Sequence, residues 1–370
     1  MGLFCNSIKM KLPSIKKMET RGKRVLLRVD FNALFDSGAM EDVYRIKRTM
    51  PVVEFLRESG AKIILLSHLS EGKKGTLKTV ADYLNDKFDL KIKFVEGNNL
   101  TAAKNVVMEM NDGEIIMLEN IRLFDGEKDN SESFATELAS LADLYVNEAF
   151  SASHRRHASI VGLPKFLPSF IGPLFEEEIK NLTGAFNPNH PFLLILGGVK
   201  AKSKLGVLDR FLDIANNIFI GGALANIFLK AKGEDIGSSV FDKDVLVEKY
   251  LSNEKIILPI DMKWKDDKIL DAGEKTVEIL TELIKKEKFI LWNGPLGNIE
   301  EDGFDAGTIA VAKAIEASGA RSVIGGGDTV AVVNRLGILD KFDFVSTGGG
   351  AMLEFLAHGT LPGIEAVMIY

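Results

Sequence analysis

The chain has 370 residues, 46% hydrophobic and 26% charged, with a formal net charge of -6 and one cysteine, Cys5. That length exceeds what a single core usually supports and predicts two domains of roughly 150–200 residues each. The acidic balance excludes an overall attraction to nucleic acid or an anionic membrane; no stretch nears the ~20 apolar residues of a membrane span, and a lone cysteine excludes an intrachain disulfide or cysteine-based metal cluster, so a reducing, cytoplasmic location is expected.

Residues 1–9 read as an appendage. They lack a basic region followed by an apolar signal core, and Asn6 stands where a myristoylation signal needs Ser or Thr. The domain pattern begins at Met10-Lys11-Leu12-Pro13, which makes Met10 a candidate initiator.

From there apolar strand patterns alternate with helical ones, the signature of βαβ units. Residues 24–29 run into Asp30-Phe31-Asn32, 62–66 into Ser67-His68, 115–118 into Glu119-Asn120-Ile121-Arg122, and 144–146 into Asn147-Glu148-Ala149-Phe150, with His154-Arg155-Arg156-His157 just beyond. Amphipathic helices are predicted over 42–58, 76–88 and 129–141. In a parallel sheet the C-terminal strand ends share one edge, which here carries Arg28, His68, Arg122, His154, Arg155, Arg156 and His157, with Asn32 to orient a ligand. Arginine suits bidentate capture of phosphate and carboxylate, so this rim fits a small anion bearing more than one such group.

Leu163-Pro164 and Leu167-Pro168 precede a charged helical stretch, and Asn187-Pro188-Asn189-His190-Pro191 follows it as a break. The predicted division is therefore a first domain over 1–170, an interdomain helix over 171–186, a second domain over 187–357, and a segment 358–370 returning to the first domain.

In the second half each apolar run ends in glycine: 193–196 in Gly197-Gly198, 218–220 in Gly221-Gly222, 289–292 in Asn293-Gly294-Pro295-Leu296-Gly297, 323–324 in Gly325-Gly326-Gly327-Asp328, and 344–345 in Ser346-Thr347-Gly348-Gly349-Gly350. Glycine lets a ligand touch the backbone, and where a helix follows, its free N–H groups point at an anion. Helices are predicted over 205–215, 224–231, 245–251, 275–285, 307–317 and 352–356. The Walker loop, the protein-kinase signatures, the nucleophile elbow and the Gly-x-Gly-x-x-Gly dinucleotide fingerprint are all missing from the sequence. The glycine rim must bind phosphates in another way.

Eight blocks in order carry a family resemblance: Arg28-Val29-Asp30-Phe31-Asn32, Leu66-Ser67-His68-Leu69, Leu118-Glu119-Asn120-Ile121-Arg122, His154-Arg155-Arg156-His157-Ala158-Ser159, Leu196-Gly197-Gly198-Val199-Lys200 with Lys204, Trp292-Asn293-Gly294-Pro295-Leu296-Gly297, Gly325-Gly326-Gly327-Asp328, and Ser346-Thr347-Gly348-Gly349-Gly350-Ala351. From about Met10 to its end the chain resembles the phosphoglycerate kinases. The resemblance implies an α/β fold of two Rossmann-like lobes with parallel sheets joined by a hinge helix. It implies a monomer that exchanges a phosphoryl group between 1,3-bisphosphoglycerate and ADP, giving 3-phosphoglycerate and ATP, with Mg²⁺ bound to the nucleotide.

Carried over position by position, the resemblance implies that Arg28, Asp30, Phe31, Asn32, Arg45, His68, Arg122 and Arg155 bind the glycerate substrate, Asp30 and Asn32 at its hydroxyl and carboxyl end. Gly198, Lys204, Gly222, Asn293, Pro295, Gly297, Glu300, Gly326, Gly327, Asp328 and Thr329 would bind the nucleotide, with Glu300 at the ribose and Asp328 on Mg²⁺. Arg45, Lys200, Lys204, Gly327 and Gly350 would stabilise the transferring group. Histidines are read as phosphate ligands, because the acceptor carboxylate is already ionised at neutral pH and needs no general base.

The sequence departs from the family pattern in three places. His68-Leu69-Ser70-Glu71-Gly72 stands where the family has His-Leu-Gly-Arg-Pro, Ala33-Leu34-Phe35 replaces a Val-Pro turn, and Asn298-Ile299 precedes Glu300 in place of Val-Phe. An acid at Glu71 would repel a substrate phosphate. It is also the main support for an alternative, a nucleotide-binding protein that kept the fold and lost turnover, while the α/β pattern alone also allows a dinucleotide-dependent dehydrogenase.

Overall fold

A computed structural model describes residues 12–32, 35–36, 39–40, 43–69 and 75–368. Cys5, Met10, Ala33, Leu34 and Glu71 lie outside the described residues. The chain divides into two units, one running to Glu177 and taken up again from Leu361, the other Glu178–Thr360.

In the first unit the strands are β1 (Arg24–Arg28), β2 (Lys62–Leu66), β3 (Lys93–Val95), β4 (Ile115–Leu118), β5 (Leu144–Asn147) and β6 (Ser169–Ile171). They form one sheet in the order β3-β4-β2-β1-β5-β6, with every pairing parallel. Alternate residues feed two cores. Val25, Leu27, Ile63, Leu65 and Met117 face α1 (Val43–Glu58) and α2 (Lys78–Phe88), while Leu26, Ile64, Leu66, Ile116 and Leu118 share a cluster with α3 (Leu100–Met108) and α4 (Glu132–Ala139). Burial on both faces is why these strands read as unbroken apolar runs; each such side chain contributes roughly 1.5–3 kcal/mol.

Helix α5 (Pro173–Gly184) begins in this unit, its first turn capped from a distance: the Glu148 carboxylate accepts the N–H groups of Leu174 and Phe175 at 3.0 and 3.1 Å. Burial pushes the Glu148 carboxyl up to about 8, against the downward pull of those two bonds.

The second unit holds β7 (Phe192–Leu196), β8 (Asn217–Ile220), β9 (Ile256–Ile257), β10 (Phe289–Asn293), β11 (Arg321–Gly325) and β12 (Phe344–Val345), again all parallel, in the order β9-β8-β7-β10-β11-β12. Its helices are α6 (Ala201–Phe211), α7 (Gly222–Ala231), α8 (Glu274–Ile284), α9 (Ala306–Ser318), α10 (Gly327–Arg335) and α11 (Gly350–His358). An antiparallel hairpin, Met262–Lys265 with Lys268–Ala272, packs beside α9. Within this unit the later part of α5 reaches the loop after β12, where Glu178 accepts from the hydroxyls of Ser346 and Thr347 at 2.7 and 2.8 Å. The chain then returns to the first unit as α12 (Pro362–Val367), where Gly363 N–H donates to the Ser153 carbonyl at 2.9 Å.

Two predicted helices differ. Helix α6 starts at Ala201 rather than 205, which brings Lys204 into its first turn. Over 245–251 only one 3-10 turn forms, Glu248–Tyr250, because Val245 and Val247 are buried while Leu246 between them is exposed, an alternation that a helix does not give.

Candidate active site

Ligands in open α/β sheets bind where the chain leaves neighbouring strands in opposite directions. In the first unit that point lies between β1 and β5, and the loops leaving them carry a linked cluster. Asp30, just past β1, accepts from Arg45 Nη1 of α1 at 3.2 Å and from the Ser151 hydroxyl beyond β5. Burial disfavours the Asp30 carboxylate, but the positive field of Arg45, that of His68 when it is protonated, the Ser151 hydroxyl and Arg28 outweigh it and hold the group well below the usual carboxylate range.

Arg28 is only 1% exposed. Its Nη2 donates to His68 Nδ1 at 3.1 Å, its Nε to the Ser159 hydroxyl at 3.1 Å, and its Nη1 to the Val29 carbonyl. A guanidinium has five N–H groups, and these bonds use three of them. Burial drives the His68 pKa well below its ordinary value; the Asp30 carboxylate opposes this, and Arg28, Arg122 and Arg155 reinforce it, so His68 is neutral at pH 7. Its Nδ1 meets Arg28 Nη2, a pure donor, at 3.1 Å, while Asp30 Oδ1 lies 3.8 Å away, too far for a hydrogen bond, so Nδ1 accepts and the proton is assigned to Nε2.

Of the other predicted residues here, Phe31 is fully buried and donates its N–H to Ser67, while Asn32 is half-buried with its N–H on Asp30 Oδ1 at 3.3 Å. Arg122 is held by its Nη1 on the Leu69 carbonyl at 3.0 Å. Arg155 is half-buried and its charge reaches His68, whereas Arg156 is exposed. His157 sits 3.7 Å from Glu127, and burial with the fields of Arg122, Arg155 and Arg28 lowers its pKa to about 4. Ser151, Ser159 and Glu127 had no role in the sequence reading, although Ser159 closes one of the quoted blocks.

In the second unit the strand order, renumbered from its first strand, is 3-2-1-4-5-6, with the switch between β7 and β10. The glycine loops at this point serve each other. A Cβ on Gly197 would overlap the Pro295 carbonyl, one on Gly294 the Gly197 carbonyl, and one on Gly222 the backbone of Gly198. Cross-loop bonds complete the lock: Gly198 N–H to the Pro295 carbonyl at 2.9 Å and Gly222 N–H to the Leu296 carbonyl at 3.1 Å. Glycine is required here for loop-on-loop packing. Gly327 and Gly350 differ: each opens a helix, and a Cβ on either would meet nothing within 4 Å. These two helix starts present an open backbone, although at α11 the Ala351 N–H is already taken by the Gly348 carbonyl at 2.9 Å.

Gly326 turns into α10 at φ 94°, a conformation natural to glycine, against the side chain of buried Asn293. Thr329 is buried, and its hydroxyl accepts the Gly294 N–H at 2.9 Å, tying α10 to the β10 loop. Asp328 and Glu300 are exposed, as is Lys200. Lys204 is 5% exposed, and burial with the charge of Lys200 lowers its pKa to about 8 against the pull of Asp328. Gly297 is seated against Asp271, a buried carboxylate that accepts the Gly307 N–H of α9 at 2.9 Å and was not foreseen.

The family model for phosphoglycerate kinase matches residues 15–359. The chain is 39% identical over 394 residues to a phosphoglycerate kinase of Leptospira biflexa serovar Patoc, with 97% of this chain and 99% of the relative covered. It is 38% identical over 396 residues to one of Orientia tsutsugamushi, with 97% and 98% covered. Among solved structures, phosphoglycerate kinase from Pyrococcus horikoshii OT3 superposes with a TM-score of 0.86 at 30% identity, and that from Coxiella burnetii with 0.80 at 30%; each covers 96% of this chain and 98% of the other.

Proposed function

Since the chain belongs to the phosphoglycerate kinase family, it is a phosphotransferase that exchanges a phosphoryl group between 1,3-bisphosphoglycerate and ADP in glycolysis, and we propose that its two sheet rims divide this work. The first rim takes the glycerate: Asp30, Phe31 and Asn32 at its hydroxyl and carboxyl end, His68, Arg122, Arg155 and Arg28 around its phosphate, and Arg45 toward the transferring group. The second rim takes the nucleotide, with Gly198, Gly222, Asn293, Pro295, Gly297 and Gly326 shaping the loops, Thr329 bracing them and Glu300 at the ribose.

The observation that carries the reading is the pairing of chemistries: a cationic cluster at one sheet edge, and open helix starts with two lysines at the other. Phosphoryl transfer spreads charge over three equatorial oxygens, so its catalysis is positioning plus cations and N–H groups where that charge develops. Lys200, Lys204 and the amides of Gly327 and Gly350 are suited to this. The acceptor carboxylate of 3-phosphoglycerate needs no base, consistent with a neutral His68 acting as a donor.

One carboxylate of this rim suits magnesium. Among the described residues no group of three or more His, Cys, Asp or Glu could hold a metal ion, while Asp328 is an exposed carboxylate whose charge reaches Lys204. Mg²⁺ is typically held by one or two carboxylates, with substrate phosphates and water completing its shell. Asp328 would hold it, and the ion would offset phosphate charge. We further read the enzyme as a cytoplasmic monomer in which the two units approach when both ligands are bound. No helix among the described residues is long and apolar enough to cross a membrane. A coupled assay tests the function: ATP consumption should require 3-phosphoglycerate and Mg²⁺, and ATP turnover indifferent to 3-phosphoglycerate would sink the reading.

A further inference from the structure

Beneath the first rim runs a buried polar chain whose inner members, Glu127 and Ser159, have no part in these roles. Glu127 is fully buried; its Oε2 accepts the Ser159 N–H at 2.9 Å and its Oε1 the Ser159 hydroxyl at 2.6 Å. The Ser159 hydroxyl, donating to Glu127, accepts the Arg28 Nε–H at 3.1 Å, and Arg28 Nη2 meets His68 Nδ1 at 3.1 Å. The serine is further held by Tyr145, whose hydroxyl donates to the Ser159 carbonyl at 2.7 Å, and the Ala158 N–H donates to the Glu127 carbonyl at 2.8 Å.

Burial raises the Glu127 pKa, against the field of Arg28, its two bonds from Ser159 and the field of Arg122. As a carboxylate Glu127 only accepts, so the serine donates to it; a guanidinium only donates, so Nδ1 accepts. With the Nδ1–H tautomer, Arg28 Nη2 and Nδ1 would be two donors 3.1 Å apart in a buried site, and Asp30 Oδ1, at 3.8 Å from Nδ1, is too far to take that proton in a hydrogen bond. The charged groups around His68 are Asp30, Arg28, Arg122 and Arg155; those around Glu127 include Arg28 and Arg122, and the titratable His157 lies 3.7 Å from it. Three guanidinium groups make a charged imidazolium costly, and a neutral Nε2–H remains as a donor for a phosphate oxygen.

We propose that Glu127 and Ser159 are positioning residues for the acidic-substrate rim: acting through Arg28, they hold His68 in its neutral Nε2–H tautomer. The proposal rests on the reading that this rim takes 3-phosphoglycerate. Without the Ser159–Glu127 anchor the guanidinium loses its Nε restraint and can rotate off Nδ1.

The test uses the full chain as wild type, Glu127→Gln and Ser159→Ala, with ¹⁵N NMR of the His68 ring in the absence of ligand and calorimetric titration of 3-phosphoglycerate and of MgATP. In wild type His68 should show an unprotonated Nδ1 and an N–H at Nε2. Both variants should show averaging between the two tautomers, and 3-phosphoglycerate should bind about tenfold more weakly, the order of one charge-assisted hydrogen bond, with MgATP affinity within about twofold. Should Glu127→Gln fail to fold, Ser159→Ala carries the same readouts; loss of fold in both would overturn the proposal, because the pair would then be holding the unit rather than the rim. An unchanged tautomer in folded variants would also overturn it. Failure of wild type to bind 3-phosphoglycerate would instead overturn the reading of the rim, leaving the tautomer result to stand or fall by itself.

Discussion

Arg45 and Asp30 form an ion pair at 3.2 Å that ties the first turn of α1 to the end of β1. Asp30 is buried, and Arg45 is the largest of the influences that keep it ionised. Removing one partner of such a pair leaves the other charge buried without compensation.

Arg45→Ala is therefore expected to act twice. The lost cation should lower kcat by ~10²–10³-fold, as for removal of one transition-state donor, and the exposed cost of Asp30 should lower Tm. Steady-state kinetics with thermal melts check this; a kcat within threefold of wild type would remove Arg45 from the transfer step.

Lys204→Ala should lower kcat by orders of magnitude with MgADP affinity within a few-fold, because its charge is read as acting on the phosphoryl group in flight. In the free enzyme Lys204 loses its proton near pH 8, so wild-type kcat/KM should fall as pH rises through that value, and the variant should lack that alkaline limb. An identical pH profile in the variant would assign the limb to another group.

Glu148→Gln isolates the buried cap of α5. The folded carboxyl lies near 8, above the ordinary 4.5, so its contribution to stability is full below about pH 4.5 and is lost as pH rises through 8. The glutamine keeps an acceptor and does not titrate, so wild type should lose stability relative to the variant between pH 5 and 8, by on the order of a few kcal/mol. Parallel curves across that range would mean that the two N–H bonds and the helix N-terminus keep Glu148 ionised.

The glycines of the second rim should divide into two classes. Gly197→Ala drives a methyl into the Pro295 carbonyl and should destabilise the second unit by ~3 kcal/mol or more. Gly327→Ala meets nothing within 4 Å, so its melting should stay near wild type while MgATP binding weakens. Equal loss of Tm in the two would contradict the division.

Strand ends were the most legible part of the sequence. Both sheets were predicted, because strands buried on two faces leave unbroken apolar runs such as Phe192–Leu196, and the residues at their C-terminal ends follow directly. Short edge strands such as Lys93–Val95 and Ile256–Ile257 escaped, since three or two residues give no period to read. The site was legible in its charged members and illegible in its supports. Arg28 is recognisable as a cation, but nothing local reveals that Ser159, 131 positions away, anchors it. Likewise a run of glycines shows that side chains are unwelcome and leaves open why, open space at Gly327 or another loop at Gly197.

The return of α12 to the first unit sets the order in which the enzyme can be finished during synthesis. Domains generally fold as units as they leave the ribosome, N-terminal first. Here Gly363 holds the carbonyl of Ser153, and Ala366 completes a small core with Ala149, Ala152, Ile160 and Val161, in the stretch that also carries Arg155. The rim we propose for the glycerate, whose strands are the first to be made, waits for residues 361–367, so a ribosome stalled before Leu361 should carry a second unit already complete and a first unit still unfinished.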